Sequence, residues 1–469
     1  TPSAATGGTF TASNYSITYA TGTVTINKAP LGINVSGTYS GTTTLSSPTL
    51  GTVTGLMNSE TLTSLTSATL NSKDVANNST NYVTAIVKNA GTADIATNYQ
   101  ITAARNATLG NTQNTVTLSA ANLTVTADNQ TTTYGTVIST GTGKTSFTSS
   151  GLMNSQTIGS VTLATTQTAT TNAAAAGITI TPSAATGGTF TASNYSITYA
   201  TGTVTINTAP LTITADNQTT TYGTVISTGT GKTSFTSSGL MNSQTIGSVT
   251  LATTQLATTN AAAAGITITP SAATGGTFST SNYSITYATG TVTINTAPLT
   301  ITADNQTTTY GTVISTGTGK TSFTSSGLKN SETIGSVTLA TTQLATTNAA
   351  ASGITITPSA ATGGTFDASN YSITYATGTV TINTAPLTIT ANNQTTTYGT
   401  VISTGTGKTS FTSSGLMNSE TIGSVTLATT QTATTNAAAS GITITPSAAT
   451  GGTFTASNYS ITYATGTVT

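Results

Sequence analysis

Histidine, cysteine and tryptophan are absent from this 469-residue chain, and charge is nearly so, with nine basic and nine acidic side chains that cancel. Each absence excludes a class of chemistry. Without His or Cys there is no imidazole base, no thiolate nucleophile, and no zinc, haem or iron–sulfur ligation of the ordinary kinds. Without Cys there is no disulfide framework, so stability must come from packing and hydrogen bonds. Without a basic excess there is no electrostatic footprint for nucleic acid or an anionic membrane surface.

Long apolar runs are missing too. None approaches the roughly 18 residues of a membrane span, so no membrane insertion is expected. No signal peptide is visible. The chain opens inside a repeat and not at Met, so that says nothing about export.

What is present is threonine. Residues 123–210 hold 27 Thr and 9 Ser in 88 positions. The branched Cβ of Thr suits a pleated strand, although Ser/Thr-rich chains also form disordered stalks. With 35% hydrophobic residues, 17 Tyr and 9 Phe, the chain is too apolar and too aromatic for disorder.

Self-similarity decides the organisation. The string LT(V/I)TA(D/N)NQTTTYGTVISTGTGKTSF begins at Leu123, Leu211, Leu299 and Leu387, with a spacing of 88 residues. Units 123–210 and 211–298 differ only at Val125/Ile213, Thr168/Leu256, Thr191/Ser279 and Ala192/Thr280. A divergent unit spans 31–122, residues 1–30 are the tail of a preceding repeat, and 387–469 is a repeat lacking its last few residues. A period of 88 is too long for a solenoid rung and suits a small autonomous domain.

Within 123–210 apolar residues alternate with Thr or Ser, the period-2 signature of half-buried strands. Leu123, Val125 and Ala127 make one run, Val161 and Leu163 another, then Ile178 and Ile180, Ile197 and Tyr199, and Val204 and Ile206. Residues 144–149, centred on Phe147, form a weaker strand. Gly135, residues 140–143, Gly187–Gly188 and Asn194 punctuate between strands. The last two runs predict a hairpin across 200–202. Only 172–176, followed by Gly177, reads as helical, as one turn or a loop. The expected fold is all-β, a tandem array of small β-sandwich or β-grasp-like domains with six or seven strands each.

Between units there is no Gly/Ser linker. Residues 203–207 end one unit, Thr208-Ala209-Pro210 follow, and 211–215 open the next. Proline fixes φ and holds Ala209 extended, so neighbours should abut with little bending. A domain of this size is roughly 30 Å across. About five in series predict an elongated rod on the order of 150–200 Å long.

The ordered motifs resemble a known family. The Leu-Thr-Ile-Thr-Ala opening, Thr133-Tyr134-Gly135-Thr136, Gly151-Leu152-Met153-Asn154, residues 178–190 and Asn194-Tyr195-Ser196-Ile197-Thr198-Tyr199 are similar to the MBG repeat of the YGX type. The divergent unit resembles the sister YDG domain, through Tyr39-Ser40-Gly41-Thr42-Thr43 and Asn98-Tyr99-Gln100-Ile101-Thr102. Ser40 stands where that family has Asp. The resemblance implies a β-rich extracellular array of a filamentous haemagglutinin-like secreted bacterial adhesin. It supplies no ligand and no binding residues.

Candidate sites are few. Unit 123–210 offers one acid, Asp128, and one base, Lys144, whereas paired-carboxylate chemistry needs two acids at a set separation. Asp216 and Asp304 repeat the acid, and Asn392 replaces it in the last repeat. Calcium needs several oxygen ligands, usually with two or more carboxylates, which one acid per unit cannot supply. Lys144, Lys232, Lys320 and Lys408 recur at one position, either as solubilising lysines or as partners in a Lys–Asn isopeptide crosslink, which also needs a carboxyl to shuttle protons. Repeated Thr-x-Thr raises ice binding, but the threonines alternate with apolar residues on separate strands. Asn129 and Asn194 open Asn-x-Ser/Thr sequons, and exposed Thr can equally carry O-linked sugar. Tyr134 and its copies stand before Gly at a turn, either as an exposed binding platform or packed over the turn.

The expected function is therefore non-enzymatic, with no catalytic, cofactor or metal residues. The chain reads as a structural repeat array of a secreted bacterial surface adhesin or extracellular filament, a stalk or fibre whose principal partner is itself. The alternative is a multivalent carbohydrate- or protein-binding adhesion module for extracellular glycans or matrix.

Overall fold

A computed structural model describes residues 1–101 and 114–469. Thr102, which closes the Asn-Tyr-Gln-Ile-Thr motif, lies outside the described residues. The chain is 51% strand and 5% helix, an all-β tandem array. Its contacts group it into two units. The first is Thr1–Leu211 with Gly239–Thr245 and Thr277–Ile285, and the second is Thr212–Ser238 with Ile246–Gly276 and Thr286–Thr469.

In the first unit, the repeat around 123–210 contains eight strands: β1 (Ala121–Ala127), β2 (Gln130–Thr133), β3 (Gly141–Lys144), β4 (Phe147–Ser150), β5 (Ile158–Thr165), β6 (Thr179–Gly188), β7 (Tyr195–Ala200) and β8 (Gly202–Asn207). They form a three-stranded sheet, β4-β1-β7, and a five-stranded sheet, β3-β5-β6-β8-β2. β6 lies against β1 and β7, which makes the repeat a two-sheet sandwich. No helix crosses either sheet among the described residues, so the β-grasp alternative falls away.

Period-2 alternation builds the core as the sequence predicts. Leu123, Val125, Ala127, Val161, Leu163, Ile180, Val204 and Ile206 are all buried. Each larger aliphatic contributes about 1.5–3 kcal/mol by leaving water. Thr and Ser take the intervening outward positions.

Two local expectations are corrected and one open alternative is decided. The hairpin across 200–202 does not form. β7 pairs in parallel with β1, Ile197 opposite Leu123, while β8 pairs in parallel with β2 and antiparallel with β6. The chain steps from one sheet to the other at Thr201. Gly202 permits the step, because a Cβ there would lie 2.4 Å from the Ala127 carbonyl oxygen. The single weak strand at 144–149 is two short strands in different sheets, separated by Thr145-Ser146. Residues 172–176 take the loop alternative, as turns with Ala174 at φ +55°.

Gly187–Gly188 also belong to a strand, not to a break. Gly188 sits at φ +73°, and a Cβ there would meet the Thr157 carbonyl oxygen at 2.2 Å. Only glycine allows β6 to run so close to the start of β5.

The divergent domain of the first unit has the same kind of layering. Ala29–Thr38 pairs with Thr49–Thr54, Tyr99–Ile101 and Thr115–Ser119. Thr44–Ser46, Ser64–Leu70 and Val83–Ala90 form the second sheet. Ile33, Val35, Leu65, Val83, Val116 and Leu118 pack between them. Residues 1–28 contain no strand, only a helical turn at Ala12–Asn14.

The second unit holds the 299–386 and 387–469 repeats with the same strand order, except that the last has four strands in its larger sheet. Here the joining segment differs from expectation. The strand expected from Leu299 starts two residues earlier, as Ala297–Ala303, and Ala297 lies opposite Tyr371 in a parallel pair. Pro298 fits because the antiparallel neighbour on its other side begins only at Thr300, so no ladder bond needs its missing N–H.

Candidate functional site in the joints between domains

Among the described residues the most elaborate side-chain cluster lies where one domain meets the next, and it occurs four times. In the joint between repeats 123–210 and 211–298, Tyr134 leaves the end of β2 and points into the following repeat. It is 2% exposed. Its backbone N–H donates to the Asn207 carbonyl at 2.9 Å, which ties it to the end of β8. Its ring meets that of Tyr283 edge-on, with centroids 5.5 Å apart, a favourable aromatic geometry.

Gln244 links the two rings. Its Nε2 donates to Tyr134 Oη at 3.0 Å, and its Oε1 accepts from Tyr283 Oη at 2.5 Å. Tyr283 Oη in turn accepts from the Met241 backbone N–H at 2.9 Å. Asn242 and Ser243 hold a left-handed turn at φ +54° each, which projects Met241 and Gln244 as a tongue. Gly135 makes room for it, since a Cβ there would lie 2.6 Å from Met241 Cγ. Alongside, Asn242 Nδ2 donates to the Ala169 carbonyl at 3.0 Å, and Asn282 Oδ1 accepts from the Ala173 N–H at 2.9 Å.

The socket around the tongue is braced from below. Gln167 is buried, with Oε1 accepting from the Ile138 N–H at 3.0 Å. Its Nε2 donates to the Thr136 carbonyl at 3.0 Å and to the Thr168 carbonyl at 2.9 Å. One amide thereby fixes both the Tyr134 loop and the Ala169 loop.

The other joints repeat this plan with altered chemistry. At the divergent domain, Tyr39 plays the part of Tyr134. It accepts from Gln156 Nε2 at 2.9 Å and meets Tyr195 edge-on at 5.3 Å. In the second unit Glu replaces Gln. Tyr222 and Tyr371 both donate to the Glu332 carboxylate, and Tyr310 and Tyr459 both donate to Glu420. Burial pushes the Tyr371 hydroxyl well above its ordinary range, and its bond to Glu332 pushes it further. The same two causes push Tyr459 up to about 12. Lys329 stands where Met241 stands elsewhere, and its aliphatic stem covers Gly223.

The sequence candidates fall as follows. Tyr134 has a structural role, but it packs into the neighbouring domain and not over its own turn. Asn194 is not an available glycosylation acceptor in the folded chain. It is fully buried, accepts from the Val75 N–H at 2.8 Å and donates to Asp74 Oδ1 at 2.8 Å. Asn129 is exposed, but its Oδ1 accepts from the Thr203 N–H at 2.8 Å. Lys144, Lys232, Lys320 and Lys408 each donate to a nearby serine, Ser139, Ser227, Ser315 and Ser403, at 2.7–2.8 Å. That is the solubilising alternative, because each ammonium faces a hydroxyl and not an asparagine carboxamide. Asp128 is half-buried, and its backbone N–H donates to Ser146. Among the described residues no three His, Cys, Asp or Glu side chains gather as metal ligands.

Gln244 and Gln167 carry no signal in the sequence, and Met241-Asn242 shows only as a copy of the Met153-Asn154 motif, with nothing to mark it as part of a joint. Asn242 and Gln244 find partners in the preceding repeat, 73 and 110 residues away, whereas Gln167 braces its own repeat across 1–31 residues, and every repeat carries both halves. Near-identity between copies therefore hides which copy touches which.

Serial two-sheet domains locked by such joints define an all-β tandem-repeat protein. The chain belongs to the MBG domain (YGX type) family, whose profile matches residues 123–205, 211–293, 299–381 and 387–469. Each matched segment contains the Tyr-Gly pair at its joint position: Tyr134-Gly135, Tyr222-Gly223, Tyr310-Gly311 and Tyr398-Gly399. No curated protein matches the chain.

Proposed function

We propose that this chain is a non-enzymatic structural array, the stalk or fibre-forming part of a secreted bacterial surface adhesin or extracellular filament. The observation that carries the reading is the joint. The most highly organised polar cluster of each repeat is directed at the neighbouring domain, and its groups satisfy one another. A tyrosine, an amide or carboxylate, and a second tyrosine form a closed set of hydrogen bonds with no acceptor or donor offered to a small molecule. Edge-on rings and a threaded tongue resist both bending and axial rotation. Hydroxyls of Thr and Ser in place of charges leave the assembly insensitive to salt. Its independence from redox state and calcium follows from the absence of thiols and the scarcity of carboxylates.

Electron microscopy of the purified array tests this. The expected result is a contour length that rises by a constant step per repeat, with a narrow distribution of bend angles between domains. Freely bending beads would defeat the reading. So would glycan affinity that climbs with repeat number, which is the behaviour of a multivalent binding module.

A further inference from the structure

The smaller sheet of each repeat stops at an edge with which no strand pairs. In the first unit the order is β4-β1-β7, and among the described residues β7 is laddered to β1 alone. Sheet edges are usually guarded by charge, by proline or by brevity. β2, β3 and β4 are four residues each, and β3 ends in Lys144. β7 has no such guard. Its six residues, Tyr-Ser-Ile-Thr-Tyr-Ala, include no charge, proline or glycine and are rich in strand formers. The same strand recurs in the second unit as Tyr371–Ala376 and Tyr459–Ala464, again at the rim of a three-stranded sheet.

The register shows which backbone groups this edge presents. The Asp128 N–H donates to the Ser146 carbonyl, and Thr126 and Thr124 lie opposite Thr148 and Ser150 in the same register. Hydrogen-bonded positions alternate along a strand, so the even-numbered residues of β1 face β4, while Leu123 and Val125 face β7. Leu123 lies opposite Ile197. In a parallel pair it bonds the residues on either side of its opposite number, Ser196 and Thr198. Ile197 and Tyr199 therefore turn their N–H and C=O groups outward. Tyr195 shares that side, but its N–H is spent on the Ala192 carbonyl.

We infer that the occupant of this edge is the same Tyr-Ser-Ile-Thr-Tyr-Ala strand of a second copy of the chain, laid antiparallel. The outward groups of Ile197 and Tyr199 are self-complementary under a two-fold axis. Ile197 of one copy bonds Tyr199 of the other, twice over, and Thr198 faces its own counterpart. Two three-stranded sheets then become one of six. The contact is isologous, the usual form in homo-oligomers. The period is what selects another copy as the partner. A six-residue strand is about 20 Å long and its pairing buries on the order of 400 Å² in total, well short of the roughly 1,200 Å² of a stable interface. Several edges must close together, and this chain offers an uncharged edge of the same sequence every 88 residues. The inference deepens the structural reading above and rests on it for its meaning, and its test is chosen so that the two fail separately.

Sedimentation velocity of the intact 469-residue chain over rising concentration, with hydrogen exchange on the same samples, provides the test. The expected result is a mean mass that rises above the monomer, with exchange in the Tyr-Ser-Ile-Thr-Tyr-Ala strands slowing as it rises. Thr198, Thr286 and Thr374 are exposed at the middle of these strands. Thr198→Lys combined with Thr286→Lys and Thr374→Lys sets like charges opposite one another and should weaken association about tenfold or more. Thr203→Lys combined with Thr291→Lys and Thr379→Lys adds the same charge on β8 and its equivalents, interior strands of the larger sheet, and should weaken it far less. Circular dichroism checks that both variants stay folded. A parent chain that stays monomeric overturns the inference. So does association without new protection in these strands, or edge lysines that weaken it no more than those on β8. A monomeric parent leaves the stalk reading untouched. Bead-like flexibility in micrographs removes that reading without altering the sedimentation result.

Discussion

The amide of Gln244 donates to the hydroxyl of Tyr134 at 3.0 Å across 110 residues of chain. The two side chains belong to different repeats, and together with Tyr283 they close a buried joint. Tyr134→Ala should therefore do more than truncate a ring. It leaves a cavity and strips Gln244 of a partner, at a cost of about 3–5 kcal/mol. Tyr134→Phe keeps the ring contact and should cost about 1 kcal/mol. Denaturant unfolding of the full array checks both. For the alanine variant, hydrogen exchange should show protection lost on the two domains that share this joint and retained elsewhere.

Glycine is a packing requirement at Gly135, in the socket, and not at Gly177, in the loop before β6. Both have positive φ, +89° and +75°, but only Gly135 faces a methionine. Gly177→Ala should cost only the backbone strain, about 1 kcal/mol. Gly135→Ala should exceed it by a further 1–3 kcal/mol, roughly the cost of overpacking. Equal losses at the two positions, measured by thermal unfolding, would contradict the close approach seen here.

Alkaline stability should fall in a defined window. The unfolded tyrosine titrates at about 10, and Tyr459 titrates at about 12 in the folded chain. Between those values the unfolded state loses a proton that the folded state keeps, so stability drops as pH rises. Below pH 10 the full contribution is present, and by pH 12 it is largely spent. Glu420→Gln reproduces the Gln244 type of joint. It removes the carboxylate contribution while leaving burial, so the alkaline fall should be shallower. Thermal melts across that range, with ultraviolet tyrosinate titration, provide the measurement.

Gln167→Ala should destabilise its repeat by about 2–3 kcal/mol, because it orphans a buried N–H and two carbonyls. Lys144→Ala should be nearly neutral, as expected for a surface lysine that donates only to Ser139. An intact mass equal to that of the sequence, with no loss of ammonia, would complete the case against an isopeptide bond at that lysine.

Much of a single domain was legible from alternation alone. Leu123, Val125 and Ala127 were read as one inward face, and Val204 and Ile206 as another, and all five are buried. Partner choice was not legible. Ala200-Thr201-Gly202 looks like a hairpin turn, yet pairing of β7 with β1 buries Tyr195 and brings its hydroxyl to the Met153 N–H. That preference depends on contacts far along the chain. β2 was missed because Gln130–Thr133 has no apolar residue to alternate, and its strand is drawn in by the ladder with β8. The joint was half legible. A Tyr before a Gly drew attention, but its buried partner is a glutamine whose relevance shows only in three dimensions.

The joint also bears on how such a coding sequence changes in length. Every 88-residue period carries one socket and one tongue, in the same order. Unequal recombination that deletes or duplicates a whole period joins an upstream Tyr-Gly socket to a downstream Asn-Ser turn of the same design. Sockets that met glutamine then meet glutamate, and both pairings occur already at Gln244 and Glu332. The gene can therefore lengthen or shorten its product by whole periods, and each new seam is a junction the polypeptide already knows how to make.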